Sequence, residues 1–250
     1  MCLLDRVGFI PVRVSRQVRI IITLVIVNLP REAGTAMSQF LAELRRDYAL
    51  GTLTETDIDP DPIRQFQSWL QEAVAAQLPE PNAMTLATAD RAGRPYARVV
   101  LLKECDADGF VFFTHYHSDK GLQIAENPHI ALVFLWLELE RQVRIEGVIA
   151  QIPTAESEAY FRSRPRESRL GALASQQSQV VANRQVLDQR LEQLSTRYPD
   201  DNIPMPPYWG GYRVKPNLLE FWQGRHGRVH DRLRYRMQQE GEWLLERLEP

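Results

Sequence analysis

The densest set of chemically capable residues lies near the C-terminus, in the stretch EFWQGRHGRVHDR at positions 220–232. It places Arg228, His230 and Arg232 at alternate positions behind Trp222. Alternate residues of a β-strand share one face, so the spacing predicts that these three side chains point the same way. Burying such groups without partners is costly, so this face is either solvent-exposed or lines a polar pocket. The neighbouring indole favours a pocket for a flat anionic ligand, because aromatic rings stack on π-systems and guanidinium groups.

A second set combines hydroxyl groups with a guanidinium in YFRSRPRES, positions 160–168. Pro165 should end one helix and occupy the first position of the next. Tyr160, Arg164 and Ser168 would then surround a helix N-terminus, and this combination suits a phosphate ester. A solvated, arginine-rich corner between two helices is the alternative.

Two shorter motifs could also bind anions. In HSDKG, Ser118 is a predicted helix N-cap, and Lys120 beside it makes a phosphate seat, although a simple cap would look the same. In RVVLLK, Arg98 and Lys103 are five positions apart, so they point to opposite faces unless a strand end intervenes. The alternative is a pair of surface cations that flank a buried strand.

The elements that must position these residues are mainly strands without regular crossover helices, which favours an antiparallel barrel over a doubly wound sheet. We therefore predict a mainly β fold with flanking helices (α+β). Helical patterns cover residues 63–77, 118–127, 154–162, 165–175 and 183–198, and Asp61 can cap the first of these helices with Pro62 at its first position. The predicted strands are AMTLATAD, YARVVLLKECD, GFVFFTHY, HIALVFLWL, RQVRIEGVIAQI, YWGGYRV, LLEFWQG, RVHDRLRYRM and EWLLERLEP.

Overall charge and cysteine content exclude several classes of protein. The 30 Lys and Arg residues nearly balance the 32 Asp and Glu residues, which gives a formal net charge of −2. A nucleic-acid-binding domain would be strongly basic. The two cysteines, Cys2 and Cys105, suit neither a disulfide framework nor a zinc site. We expect no metal, no nucleic-acid or membrane partner, and a cytoplasmic location.

Residues 1–36 share no pattern with the rest of the chain. Their apolar run, IIITLVIVNL, has about half the length of a membrane helix. A short targeting segment is one interpretation, because arginines precede this run and small residues follow it. We favour Met37 as the natural start, with residues 1–36 a non-native or disordered extension and residues 37–250 a single domain.

Several motifs together resemble one known family. RVVLLK, YFRSRPRES, ERQVRIEG, YWGGYRV and above all EFWQGRHGRVHDR are similar to motifs of the pyridoxine/pyridoxamine 5′-phosphate oxidases, over about Leu44 to Pro250. The resemblance implies an FMN-binding split β-barrel and a homodimer with the flavin at the subunit interface. It implies oxidation of pyridoxine 5′-phosphate and pyridoxamine 5′-phosphate to pyridoxal 5′-phosphate, by hydride transfer to FMN and reoxidation by O2 to give H2O2.

The resemblance also implies residue roles. Arg228 and His230 would be the catalytic residues that contact the substrate ring. Arg45, Arg46, Asp47 and Tyr48 would close over the substrate, with Lys103, Tyr160, Arg164, Ser168, Arg228 and His230 as further substrate contacts. FMN would be bound by Arg98, Val99, Val100, Leu101, Leu102, Lys103, Phe113, Thr114, Ser118, Lys120, Gln142, Gln177, Ser178, Trp222 and Arg232.

Two positions depart from the family pattern. Asp119 stands where many relatives carry an arginine, which removes one cationic contact to the FMN phosphate. Phe113 replaces a frequent tyrosine. Neither change removes a group that the chemistry requires. A different split-barrel FMN oxidoreductase, similar to a flavin reductase, and a non-catalytic carrier of pyridoxal 5′-phosphate are the alternatives.

Overall fold

The sheet that carries the predicted motifs is antiparallel in every strand pair of a computed structural model that describes residues 40–41, 43–44, 47–239 and 241–250. The predictions for Arg45, Arg46 and residues 1–36 lie outside these described residues. The nine described strands are β1 (Ala83–Ala89), β2 (Pro95–Leu101), β3 (Glu104–Asp106), β4 (Gly109–His115), β5 (His129–Trp136), β6 (Arg141–Gln151), β7 (Trp209–Gln223), β8 (Asp231–Met237) and β9 (Trp243–Arg247).

Five described α-helices flank this sheet, so the predicted mainly β fold is confirmed. They are α1 (Pro62–Ala75), α2 (Asp119–Glu126), α3 (Thr154–Ser163), α4 (Arg166–Ala174) and α5 (Arg184–Arg197). The predicted start of α1 is also confirmed, because Asp61 accepts a hydrogen bond from the backbone N–H of Ile63 and Pro62 occupies the first turn. No described helix is both long enough and apolar enough to cross a membrane.

The long strand β7 organises the sheet. The strand order is β2-β1-β5-β6-β7-β4-β3, and β8 pairs with both β7 and β9. Along one edge of β7, β4 pairs with its first half and β8 with its second half, while β6 pairs along the other edge. The two predicted strands YWGGYRV and LLEFWQG are therefore one strand of 15 residues. Pro216 is tolerated inside it because the register with β6 shifts there, opposite Gly147.

The core lies between the curled sheet and α1. Phe66 of α1 is fully buried, and its ring centroid lies 4.9 Å from that of Phe110 and 4.8 Å from that of Phe134. Leu86, Leu132 and other inward-facing strand residues complete this core. A smaller apolar cluster joins helices α3 and α4 to the start of β7.

Two predicted strands differ from the structure. YARVVLLKECD is interrupted at Leu102 and Lys103, between β2 and β3. The chain from Gly224 to His230 is a loop, because Gln223 pairs directly with Asp231 in the β7–β8 hairpin. Arg228, His230 and Arg232 therefore do not share a strand, and only Arg232 lies in β8.

Candidate cofactor and substrate site

A cavity of about 620 Å³, which we name the Arg98 pocket, lies where β2 meets α2. Its lining includes three residues predicted to bind FMN, namely Arg98, Lys120 and Ser178. The two carboxylates in the lining are those of Asp119 and Glu126. β2 is an edge strand of the described sheet, so its outer backbone edge faces away from β1. Val99 on this strand is 67% exposed, whereas Leu102 just beyond it is buried.

Neutral oxygen atoms hold Arg98 in this pocket. Its Nη1 donates to Thr88 Oγ1 (2.6 Å) and more weakly to the carbonyl of Leu86 (3.3 Å), and its Nη2 donates to Gln123 Oε1 (2.7 Å). Burial lowers the pKa of Arg98, and the nearby charge of Asp119 partly offsets this effect. The guanidinium is thus fixed in a place that disfavours its positive charge. A bound anion would stabilise that charge.

Lys120 is held in the same way. Its Nζ donates to Gln177 Oε1 (2.8 Å), which also accepts from the hydroxyl of Thr114 (3.1 Å). Burial, and next the charge of Arg98, lower the pKa of Lys120. Among the residues described, neither Lys120 nor Arg98 hydrogen-bonds to a carboxylate. Two such cations side by side suit a phosphate, so the residues present fit the phosphate of FMN.

The start of α2 completes the Arg98 pocket. Ser118 is its N-cap, as predicted, and its hydroxyl oxygen accepts from the backbone N–H of Gly121. Any larger residue at Gly121 would place its Cβ 2.0 Å from the carbonyl oxygen of Tyr116. The backbone N–H of Asp119 donates to Ser178 Oγ (3.1 Å), which fastens the segment after α4 to this helix.

A second candidate anion site surrounds Arg164. Tyr160 stacks on Phe113 with ring centroids 3.8 Å apart, and the guanidinium of Arg164 lies 4.7 Å from the ring centroid of Trp209. Nη1 of Arg164 is buried and has no hydrogen-bond partner within the described chain. Burial lowers the pKa of Arg164 and raises the pKa of Tyr160. An unpaired buried N–H on a cation fits an anionic oxygen.

The helix boundary at this second site differs slightly from the prediction. Pro165 was predicted as the first helical residue, but it is the N-cap of α4, which begins one position later at Arg166, and Arg164 is the C-cap of α3. Ser168 is half-buried in the first turn of α4. Lys103 is exposed, just beyond the end of β2. The predicted grouping of Tyr160 and Arg164 is present, whereas no described contact joins Lys103 or Ser168 to them.

A third group surrounds His230. The centroid of its ring lies 4.7 Å from that of Trp222 and 5.6 Å from that of Tyr48. The backbone N–H of Arg225 donates to His230 Nδ1 (3.1 Å). Because a backbone N–H can only donate, Nδ1 carries the lone pair, and the neutral imidazole holds its proton on Nε2. His230 can therefore offer an N–H group to a ligand at Nε2.

The loop that carries His230 is fastened from two sides. Nδ1 of His226 lies 2.6 Å from Oδ2 of Asp47. The guanidinium of Arg225 donates to Asp231 (2.9 Å) at the start of β8. Arg228 is exposed and has a left-handed backbone, with a φ of 62°. The N-terminal residues Asp47 and Tyr48 thus meet the C-terminal motif, as the predicted closing segment requires.

Arg232 has a different environment from Arg98. It donates from Nε to Glu220 Oε1 (2.8 Å) and from Nη1 to the carbonyl of Glu249 (2.9 Å). The side chain of Glu220 is only 4% exposed and also accepts from Arg144 (2.6 Å). Sequence reasoning missed this carboxylate, although an acidic residue inside the apolar run LLEFW was a signal. Gln142 lies opposite Trp222 in the β6–β7 ladder.

No described contact joins the His230 group to either of the other two groups. Phe113 of the second group and Thr114 of the first are consecutive on β4, so their side chains point to opposite faces of that strand. The third group lies at the far end of β7, and Trp222 is 13 positions from Trp209. At about 3.3 Å per residue, these positions are roughly 43 Å apart along the strand.

Comparison with known proteins identifies the family. A family model described as pyridoxamine 5′-phosphate oxidase matches residues 70–198, and one described as pyridoxine 5′-phosphate oxidase C-terminal dimerisation region matches residues 209–250. Proteins named pyridoxine/pyridoxamine 5′-phosphate oxidase from Cupriavidus metallidurans and Acaryochloris marina are 56% and 57% identical to this chain over 210 residues. These matches cover 84% of this chain and 99% and 95% of the two relatives.

Solved structures agree on the fold. PhzG from Burkholderia lata, in complex with tetrahydrophenazine-1-carboxylic acid, is similar with a TM-score of 0.76 and 30% identity, over 81% of this chain and all of that chain. An FMN-binding protein related to pyridoxamine 5′-phosphate oxidase, from Nostoc punctiforme, has a TM-score of 0.62 and 20% identity, over 76% of this chain and 98% of its own. The predicted split barrel is thereby confirmed. The chain belongs to the pyridoxine/pyridoxamine 5′-phosphate oxidase family.

Proposed function

We propose that a homodimer of this chain oxidises pyridoxine 5′-phosphate and pyridoxamine 5′-phosphate to pyridoxal 5′-phosphate, with FMN as cofactor and O2 as the final electron acceptor. The observation that carries this proposal is the presence of two anion sites, one at Arg98 and Lys120 and the other at Arg164. A reaction whose cofactor and substrate each carry a phosphate monoester needs two such sites.

The Arg98 pocket would hold the cofactor phosphate through Arg98 and Lys120, with Thr114, Ser118 and Ser178 beside it. The edge strand β2 and Trp222 would contact the rest of the flavin, as the family resemblance implies. When bound, FMN would supply the redox chemistry, since it can accept two electrons and one proton from the substrate as a hydride and pass the electrons on to O2.

The substrate phosphate would lie against Arg164, with Tyr160, Ser168 and Lys103 as further contacts. Such an anchor contributes binding energy remote from the reacting carbon and holds that carbon in place. Arg228 and His230 would orient the pyridine ring. His230 would donate from Nε2 to a ring substituent, while its Nδ1 stays bonded to the backbone of Arg225.

The overall reaction balances for both substrates. The alcohol loses two electrons and two protons to become the aldehyde. The amine loses the same number to become an imine, which water hydrolyses to the aldehyde and ammonia. In each case one O2 is reduced to one H2O2.

We place the complete site at the interface of the dimer. Within one chain, the length of β7 lies between Trp209, against which Arg164 packs, and Trp222 beside His230, and the matched dimerisation region includes Trp222 and His230. A two-fold dimer can bring the His230 group of one copy to the anion sites of the other, because each surface patch meets its counterpart on the second copy.

An anaerobic half-reaction tests the activity. The visible absorbance of the purified chain is recorded before and after addition of pyridoxine 5′-phosphate, and then after admission of air. We expect a yellow protein that bleaches and regains its colour with H2O2 release. A yellow protein that neither the alcohol nor the amine bleaches would point to another flavin-dependent oxidoreductase, and a colourless protein that ignores FMN would point to a carrier.

Mixing two inactive variants tests the shared site. Arg98→Met and His230→Ala copies are co-refolded or co-expressed in equal amounts. If each site uses Arg98 from one copy and His230 from the other, half of the dimers regain one intact site, and about a quarter of the wild-type activity returns. Recovery of no activity would place both residues in a site within one copy. Mixing Arg98→Met with Lys120→Met, which alter the same half-site, is the matched control and should recover nothing.

A further inference from the structure

Arg98 is held by two side chains that neither the family resemblance nor the motifs assign. Thr88 lies on β1 and is 3% exposed, and Gln123 lies on α2, one turn after Lys120. Gln123 Oε1 accepts from Arg98 Nη2 (2.7 Å) and from the hydroxyl of Thr88 (2.6 Å), while Thr88 Oγ1 accepts from Arg98 Nη1 (2.6 Å). The three side chains form a closed triangle of hydrogen bonds across three elements.

The donors and acceptors of this triangle are mutually consistent. The hydroxyl hydrogen of Thr88 is directed to the amide oxygen of Gln123, which leaves its oxygen lone pairs for the guanidinium. Two N–H groups of Arg98 are thereby fixed. Arg98 has five N–H groups in a rigid fork, so others remain available to the pocket. The triangle fixes where the guanidinium lies without using up its donors.

The acceptors in this triangle are neutral, so they leave the positive charge of Arg98 uncompensated. A carboxylate in the place of the amide would hold Arg98 equally well and would also cancel its charge. With an amide, a hydroxyl and a backbone carbonyl as partners, the positive charge stays available to a ligand. Burial already disfavours this charge, so an incoming anion gains from meeting it.

We propose that Gln123 and Thr88 are positioning residues for the cofactor phosphate, because they fix Arg98 through neutral oxygens and so preserve its charge for that phosphate. This inference rests on the proposed function, in which the Arg98 pocket receives the phosphate of FMN. It assigns Gln123 and Thr88 a role through Arg98 and no direct contact with the reacting atoms.

The isosteric change Gln123→Glu tests the charge of Arg98 separately from its position. It keeps the acceptor oxygen and the shape of the side chain, and it adds a carboxylate that pairs with Arg98. Thr88→Val tests position instead, because it keeps the volume and removes the hydroxyl. Thr85→Val is the matched control, since it makes the same change three positions earlier on β1, where no described side-chain hydrogen bond is lost.

The experiment measures the dissociation constants of FMN and of riboflavin for the full chain after removal of flavin, by quenching of flavin fluorescence. Riboflavin has the same ring system and no phosphate. We expect Gln123→Glu and Thr88→Val each to weaken FMN binding by about tenfold or more, as for the loss of hydrogen bonds to a charged group. Riboflavin binding should change less than about twofold, and Thr85→Val should resemble the wild type for both ligands.

The outcomes distinguish this proposal from the one on which it rests. A wild type that binds FMN no better than riboflavin would show that the pocket does not recognise a phosphate, which overturns the site assignment itself. A wild type that prefers FMN, together with a folded Gln123→Glu variant that keeps this preference, overturns the role of Gln123 alone. Equal losses for FMN and riboflavin would indicate a general structural defect and would also overturn it. If Thr88→Val fails to fold, the FMN and riboflavin affinities of Gln123→Glu still test the proposal.

Discussion

Arg98 and Arg232 are both partly buried arginines of one sheet, on strands β2 and β8 that four other strands separate, yet their partners differ in charge. Arg98 donates to the neutral oxygens of Leu86, Thr88 and Gln123. Arg232 shares the buried carboxylate of Glu220 with Arg144. A guanidinium held by a carboxylate is largely neutralised and stabilises its own surroundings, whereas one held by neutral oxygens keeps its charge for a ligand.

This difference ranks the residues predicted to bind FMN. The resemblance places Arg98, Lys120 and Arg232 together as cofactor contacts. The structure distinguishes the first two from the third, since Arg98 and Lys120 have no carboxylate partner among the described residues and keep the positive charge that a phosphate requires. Arg232 stays a predicted contact, one that would act through donors not already bonded to Glu220 and Glu249.

The largest effect on stability should follow from Glu220→Gln. This change leaves Arg144 and Arg232 beside a buried neutral amide, and the loss of one partner from a buried ion pair typically costs about 3–5 kcal/mol. The free energy of unfolding, measured by urea denaturation of the flavin-bound protein, should fall by this amount. Glu246→Gln is the control, because Glu246 bonds two arginines at a more exposed position, and its loss should be smaller. Equal losses for the two variants would contradict the comparison.

The opposite pattern is expected for Arg98→Met. FMN binding should weaken by roughly 10- to 100-fold, because the phosphate loses hydrogen bonds from a charged donor. The free energy of unfolding without flavin should be unchanged or higher, since a partly buried cation without a carboxylate partner has been removed. Arg91→Met, at an exposed arginine before β2, should alter neither quantity. A large loss of stability in Arg98→Met would mean that Arg98 resembles Arg232 after all.

Lys120 should make FMN binding depend on pH. Burial and Arg98 lower the pKa of Lys120 below the 10.5 of an ordinary lysine, so its charge is lost at a lower pH. The affinity for FMN should therefore be full below this lowered pKa and decline as the pH rises through it. Riboflavin titrations over the same pH range correct for ionisation of the flavin ring. Lys120→Arg stays charged over this pH range, so the decline in FMN affinity should be absent in this variant. A decline that persists in Lys120→Arg would be due to the titration of another group.

The smallest effect is expected for Asp119→Asn. The carboxylate of Asp119 lines the Arg98 pocket and would repel a bound phosphate. Because the group is exposed, its removal should strengthen FMN binding by only about two- to fivefold. Glu126→Gln, at the other carboxylate of the lining, should act in the same direction. Weaker FMN binding in Asp119→Asn would show that this side chain supports the start of α2 more than it repels the ligand.

The sequence predicted local elements well and their assembly poorly. Alternating apolar residues located most strands, and the hydroxyl of Ser118 and the Asp61–Pro62 pair located two helix starts. YWGGYRV and LLEFWQG were predicted as two strands, because a sequence pattern does not show that a shifted register accommodates Pro216 between them. The alternation of Arg228, His230 and Arg232 suggested a strand, but the hairpin pairing of Gln223 with Asp231 leaves the first two in a loop.

Distance was the information that the motifs lacked. Resemblance grouped Arg164 and His230 into one site, but nothing in a linear pattern shows that the length of β7 lies between their neighbours Trp209 and Trp222. Thr88, Gln123 and Glu220 escaped notice for a related reason. Their roles arise from partners on other elements, and only Glu220 left a signal in its own stretch of sequence, as an acidic residue inside an apolar run.

The length of β7 has a thermodynamic consequence. A strand that carries half of a site at each end, in the proposed interface, makes cofactor loading and subunit association linked equilibria. Flavin that binds only the dimer shifts association by mass action, so saturating FMN lowers the protein concentration at which dimers persist. By the same linkage, dilution releases flavin as well as subunits, and the concentration of the chain itself governs how much holoenzyme is present.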